Sequence, residues 1–127
     1  MSADLQWSII RKNSCFLVRS LGTTLTREPN NLTGKNSYSA NGLVNSKVLG
    51  VSAAEKGVVL TTKAKGKLTS KTLGRGGRRT IKTLRAVTSG SYYRPDLTDA
   101  AIRKASAIIR SQKTKSAGKR RSRKYKN

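Results

Sequence analysis

Apolar positions in this chain come in short runs, and the way each run is punctuated predicts its element. Leu5, Trp7, Ile9 and Ile10 follow Ser2 and Asp4. A capping hydroxyl and an early acid ahead of an apolar run predict a short helix that closes near Arg11, Lys12 and Asn13, with Leu5 and Ile9 on one face. Ser14 to Ser20 (SCFLVRS) is β-branched and aromatic enough for a strand, and Gly22 punctuates it before TLTRE. Pro29-Asn30-Asn31 ends that second segment. Lys47 to Ser52 (KVLGVS) and Val58 to Lys63 (VVLTTK) flank the polar loop AAEKG with its Gly57, the strongest hairpin signal in the chain. A small antiparallel sheet is expected.

The texture changes at Ala64. The run AKGKLTSKTLGRGGRRTIK has almost no bulky apolar residue, and Gly66, Gly74, Gly76 and Gly77 interrupt it, so it is expected to be a loop when free. Thr80 to Ser89 places Ile81, Leu84 and Val87 at helical spacing, a short helix that Gly90 stops. The strongest helix follows Pro95. Leu97, Ala101, Ile102, Ala105, Ile108 and Ile109 form one stripe; Asp96 and Asp99 complement its positive end, and Arg110 and Lys113 its negative end. Beyond Gln112 the chain reads KTKSAGKRRSRKYKN, which has eight cations and no acid and cannot bury a core. The fold class is therefore α+β: a short N-terminal helix, a small antiparallel sheet, a C-terminal helix, and a basic disordered loop and tail. The divisions are 1–64 as a small α+β core, 65–94 as a basic Gly-rich loop, 95–112 as an amphipathic helix and 113–127 as a basic tail.

Charge changes this picture most. Of 127 residues, 28 are Lys or Arg and five are Asp or Glu, giving a formal +23. Residues 1–64 hold eight cations and three acids, a net +5, whereas 65–127 hold twenty and two, a net +18. Such an excess draws polyanions, and nucleic acids and anionic membranes are the abundant ones. A span of about 20 apolar residues is missing, so no bilayer crossing is expected, and the lipid-surface reading is weak because the 97–109 stripe is needed internally. Asp4 stands where a signal peptide needs cations, so the chain is expected to stay in the cell. There Asn31-Leu32-Thr33, a glycosylation acceptor by sequence, is idle. Apolar content of 35% makes stability in isolation marginal.

Catalytic chemistry is largely removed by composition. With no His there is no His-based general base or metal ligand, and one cysteine, Cys15, forms no internal disulfide. Asp96 and Asp99 are the close carboxylates, and capping explains them better than catalysis. No enzyme, cofactor, metal or small-molecule substrate is expected. The run Gly74-Arg75-Gly76-Gly77-Arg78-Arg79 lacks the Gly-Lys-Ser/Thr of a nucleotide loop. It is either a flexible linker or an RNA clamp in which Gly allows close approach and Arg forks grip phosphates; the charge of its half favours the clamp. The RNA-binding candidates are Arg75, Arg78, Arg79, Lys82, Arg85, Arg94, Arg103, Lys104, Arg110, Lys113, Lys119, Arg120, Arg121, Arg123 and Lys124. Tyr92 and Tyr93 are either base-stacking platforms or packing anchors. Trp7, Cys15 and Phe16 are expected in the core.

Several segments, in order, resemble one family: Met1-Ser2-Ala3 with Leu5-Gln6-Trp7, Glu28-Pro29-Asn30-Asn31-Leu32, Asn41-Gly42-Leu43, and Tyr93-Arg94-Pro95-Asp96-Leu97 followed by Ala100-Ala101-Ile102-Arg103, Ala105-Ser106-Ala107-Ile108 and Arg110-Ser111-Gln112-Lys113. They are similar to large-subunit ribosomal protein twenty-eight of eukaryotes, over almost the whole chain. The resemblance implies a structural constituent of the large ribosomal subunit that binds rRNA, has neighbouring ribosomal proteins and no catalytic role, works in the cytoplasm and assembles in the nucleolus. It also implies an N-terminal helix, a small antiparallel sheet and C-terminal helices. A nucleolar assembly factor sharing the domain is the alternative. Residues 65–90 look shorter and richer in Gly than the family's pattern.

Overall fold

The computed structural model describes residues 1–113, so the tail and its candidates Lys119, Arg120, Arg121, Arg123 and Lys124 lie outside the described residues. Helix α1 (Ala3–Ile10) opens as expected, with Ser2 Oγ accepting from Leu5 N at 3.3 Å and Asp4 in its first turn. The short helix buries little. Trp7 is half-buried against Tyr38, with ring centroids 5.9 Å apart, while Leu5 and Ile9 face solvent. Cys15 is exposed and Phe16 only half-buried, so the expected place of these residues in the core is corrected. No residue of α1 is buried, and the core is built from Leu32 onward.

Strands β1 (Leu17–Ser20) and β2 (Thr23–Thr26) form a separate two-stranded antiparallel sheet. Leu21 and Gly22 turn it with φ of 46° and 75°, the left-handed pair that matches strand twist in a two-residue hairpin. The second sheet has order β3-β4-β5, built from β3 (Leu49–Ala53), β4 (Val58–Ala64) and β5 (Lys67–Leu73). Pairing of Leu49 with Thr62 and of Val51 with Leu60 sets Leu49, Val51, Val58 and Leu60 on one face.

Within 65–94, expected as a Gly-rich loop with a short helix at Thr80–Ser89, the residues before Thr80 also hold regular structure, which is a correction. All seven residues of β5 pair with β4, from Ala64–Lys67 to Val58–Leu73. The missed signal is the turn Lys65-Gly66, with φ of 49° and 78°. Burial does not hold β5 in place, since Leu73 is its single residue out of full exposure; the backbone ladder does. Helix α2 (Gly77–Arg85) starts three residues before the expected Thr80 and passes into a π turn, Ala86–Gly90, whose buried Thr88 Oγ1 donates to Leu84 O at 2.8 Å.

After a 3-10 turn at Pro95–Leu97, helix α3 (Thr98–Gln112) presents the predicted stripe. Ala101 and Ala105 are fully buried, and these small side chains let α3 lie close on β3 beside α2. With Leu84, Leu97 and Leu32 they complete the core over the three-stranded sheet. Gln112 fastens the far end of α3. Its Oε1 accepts from Gly57 N at 2.9 Å, and its Nε2 donates to Ala54 O and Gly57 O, each at 2.8 Å. This closes the β3–β4 turn.

Residues 28–45 link the two sheets without regular structure and are ordered by one carboxylate. Glu28 is buried, 8% exposed; its Oε1 accepts from Asn31 Nδ2 at 2.7 Å and Gly42 N at 3.2 Å, and its Oε2 from Asn41 Nδ2 at 2.8 Å. Asn31 and Asn41 then use their Oδ1 atoms on the backbone N–H groups of Thr33, Gly34, Leu43 and Val44. Gly42 is required here because a Cβ would collide with Pro29 O.

Candidate nucleic-acid interface

Strand β5 and helix α2 are joined through Gly74, Arg75 and Gly76, and a groove of about 790 Å³ is lined by residues of both. Lys71 and Arg75 line one wall, Arg79 and Lys82 the other, and no acid lines it among the described residues. The helical spacing of Arg79 and Lys82 turns both to the same side. The strand contributes Lys71 because residues two apart share a face. A concave, unopposed set of cations concentrates positive potential and suits a phosphodiester backbone. Arg75, Arg79 and Lys82 are among the candidates named from the sequence; Lys71 is not, because its strand was not recognised.

Three other candidates are tied into the fold by hydrogen bonds. Arg94 is a structural fork with 14% of its side chain exposed. Its Nε donates to Asp96 Oδ1 at 2.9 Å, its Nη2 to Asp96 Oδ2 at 2.7 Å and to Ser39 O at 2.5 Å, and its Nη1 to Lys47 O at 2.9 Å. It thus ties the 39–47 segment to the start of α3. Lys104 is half-buried and donates to Asn31 O at 3.0 Å; desolvation by burial lowers its pKa. Tyr93 packs against the core. Its hydroxyl accepts from Lys63 N at 2.9 Å and lies within hydrogen-bond distance of Lys63 O and of Val48 O, while Lys47 Nζ sits 6.0 Å from the ring centroid. Of the two tyrosines, Tyr93 is thus the packing anchor, whereas Tyr92 is 80% exposed at φ 48°.

The remaining cations are exposed: Arg78 and Arg85 on α2, Arg103 and Arg110 on α3, and Lys113 at its end. The described residues hold no group of three or more His, Cys, Asp or Glu side chains placed to bind a metal, and no helix among them is long and apolar enough to cross a membrane.

Hydrogen bonding from Arg94 holds the Asp96 carboxyl below its ordinary value of 3.8, against a smaller opposing effect of burial. A carboxyl lowered by folding contributes stability that is present above its unfolded pKa and lost as pH falls through its folded pKa. Asp96→Asn is therefore expected to lower the thermal midpoint at neutral pH by an amount that shrinks as the pH falls below about 4. Thermal melts across that range check it, and a constant difference between the two proteins would contradict it.

The model of the family described as the Ribosomal L28e protein family matches residues 5–111. The chain is 37% identical to "Large ribosomal subunit protein eL28" of Schizosaccharomyces pombe over 91% of this chain and 96% of that protein. It is 38% identical to the protein of the same name from Dictyostelium discoideum, over 94% and 97%, and 37% identical to that of Caenorhabditis elegans, over 88% and 91%.

Proposed function

Since the chain belongs to the Ribosomal L28e protein family, we propose that it is a structural constituent of the large ribosomal subunit in the eukaryotic cytoplasm, binding rRNA through Lys and Arg contacts to phosphate and having no enzymatic activity. The observation that carries the RNA part is the β5–α2 groove, where Lys71, Arg75, Arg79 and Lys82 line one concavity with no acid among them. Arg78, Arg85, Arg103, Arg110 and Lys113 are exposed outside this groove and, with the cations of 114–127, add to the positive charge. Arg94, Lys104 and Tyr93 shape the protein that presents the surface. Binding cancels the mutual repulsion of the cations while releasing counterions from the RNA. Specificity comes from RNA shape, because the deep, narrow major groove of A-form helices hides base edges from side chains. Assembly in the nucleolus and contact with neighbouring ribosomal proteins belong to the same reading.

Sedimentation tests it. An epitope-tagged chain is expected to travel with large subunits in near-equimolar amount and to stay there through a high-salt wash. Release from mature subunits together with retention on nucleolar precursors would favour an assembly factor and overturn the proposal.

A further inference from the structure

A second cluster of cations lies on a part of the molecule that the groove does not use. The 26–35 segment and one flank of α3 border an open cavity of about 690 Å³, lined by Arg27, Lys35, Arg103 and Lys104. The one acid in its wall is Glu28, whose carboxylate is turned into the fold and occupied by Asn31, Asn41 and Gly42. Among the described residues no cation lies within ion-pair distance of it. The four positive charges are therefore not neutralised from within. Lys104 is partly desolvated, and its ammonium meets a neutral carbonyl, Asn31 O, where an anion would supply countercharge.

The position of this cavity on α3 matters as much as its charge. Ala100 and Lys104 line it, whereas Ile109 faces α2, with its Cγ2 3.8 Å from where a Cβ on Gly77 would stand. Ala100 and Ile109 are nine residues apart, about two and a half helical turns, and so point to opposite flanks. The cavity and α2, with the groove on it, thus flank α3 on either side. They share no lining residue.

We propose that the cavity between the 26–35 segment and α3 is a second phosphate-binding site, taking a phosphate of RNA, so that the domain joins two separate RNA segments. This rests on the RNA reading above. The same donors suit inorganic phosphate or a mononucleotide, and the test separates these sources.

The full chain is footprinted on large-subunit rRNA with hydroxyl radicals in three forms besides the parent. The cavity variant is Arg27→Gln/Lys35→Gln/Arg103→Gln, in which Lys104 is kept because it fastens Asn31. The groove variant is Lys71→Gln/Arg75→Gln/Arg79→Gln. The control, Lys12→Gln/Arg19→Gln/Lys65→Gln, removes the same charge from exposed positions outside both sites. The cavity variant is expected to lose one set of protected nucleotides and the groove variant a different set, while the control keeps both. The salt dependence of binding by the cavity variant should become shallower by about 0.7 to 0.9 per phosphate contact removed. Parent protections that persist in the cavity variant, or loss of the same nucleotides in both site variants, would overturn the bridging proposal alone. Saturation of the Arg103 and Lys104 side-chain NMR signals by submillimolar inorganic phosphate or AMP, with no response to an RNA oligonucleotide, would assign the cavity to a free anion and overturn the RNA assignment. A parent chain that protects no nucleotide would remove the RNA reading itself.

Discussion

Replacing Glu28 with Ala is expected to remove on the order of 3 kcal/mol or more of stability, because three donors that now meet its carboxylate, Asn31 Nδ2, Asn41 Nδ2 and Gly42 N, are left in a buried setting. Each stranded neutral donor costs about 1 to 3 kcal/mol, against a total of about 5 to 15 kcal/mol for an ordinary domain. The effect spreads, since Asn31 and Asn41 orient the backbone of 33–34 and 43–44. Glu28→Gln keeps the volume but turns an NH₂ group toward donors, so it recovers only part of the loss. Urea unfolding of the three proteins tests this. A midpoint for the Ala variant within experimental error of the parent would show that water replaces the carboxylate without cost.

The largest effect on binding is expected from the groove. Lys71→Gln/Arg75→Gln/Arg79→Gln should weaken rRNA binding on the order of 100-fold at moderate salt, taking about 1 kcal/mol for each charge-assisted contact. It should also make the fall of log affinity with log salt shallower by about two for three phosphates. Arg94→Gln is the informative comparison. Its guanidinium is spent on Asp96, Ser39 and Lys47, so the change should lower stability while leaving the salt slope of the folded protein unchanged. Titrations at several salt concentrations, run below the melting temperature of each variant, give both quantities. Equal slopes for the parent and the groove variant would place the phosphate contacts elsewhere.

The contrast between Arg75 and Arg94 shows where the sequence stops being informative. Both read as cations in a basic half, and nothing in their spacing tells that one lines a groove while the other reaches carbonyls 47 and 55 residues away. Lys104 and Tyr93 are further cases, since each is fixed by a partner far along the chain. Elements whose signals are local were legible. The β3–β4 hairpin announced itself through Gly57 between β-branched runs, and α3 through Pro95, its acidic start and its apolar stripe. Strand β5 was hidden because KLTSKTL offers no alternation of bulky apolar residues, and its register comes from the Lys65-Gly66 turn and the partner strand. Glu28 was hidden for the opposite reason. An acid in a Pro-Asn turn reads as a surface residue, and only the fold brings Asn41 and Gly42 to it. With β5 and Glu28 unrecognised, the sequence could place neither the groove's strand-side lysine nor the wall of the second cavity.

The clasp of Gln112 on the β3–β4 turn has a consequence for synthesis. Translation delivers the three-stranded sheet well before α3, and the contacts from Gln112 to Ala54 and Gly57 span 58 and 55 residues. Until α3 emerges, Leu49, Val51, Val58 and Leu60 lack the helix that covers them. The nascent polypeptide must therefore carry an uncovered greasy surface while residues 61–112 are being added, a window in which a chaperone can hold it and self-association competes with maturation.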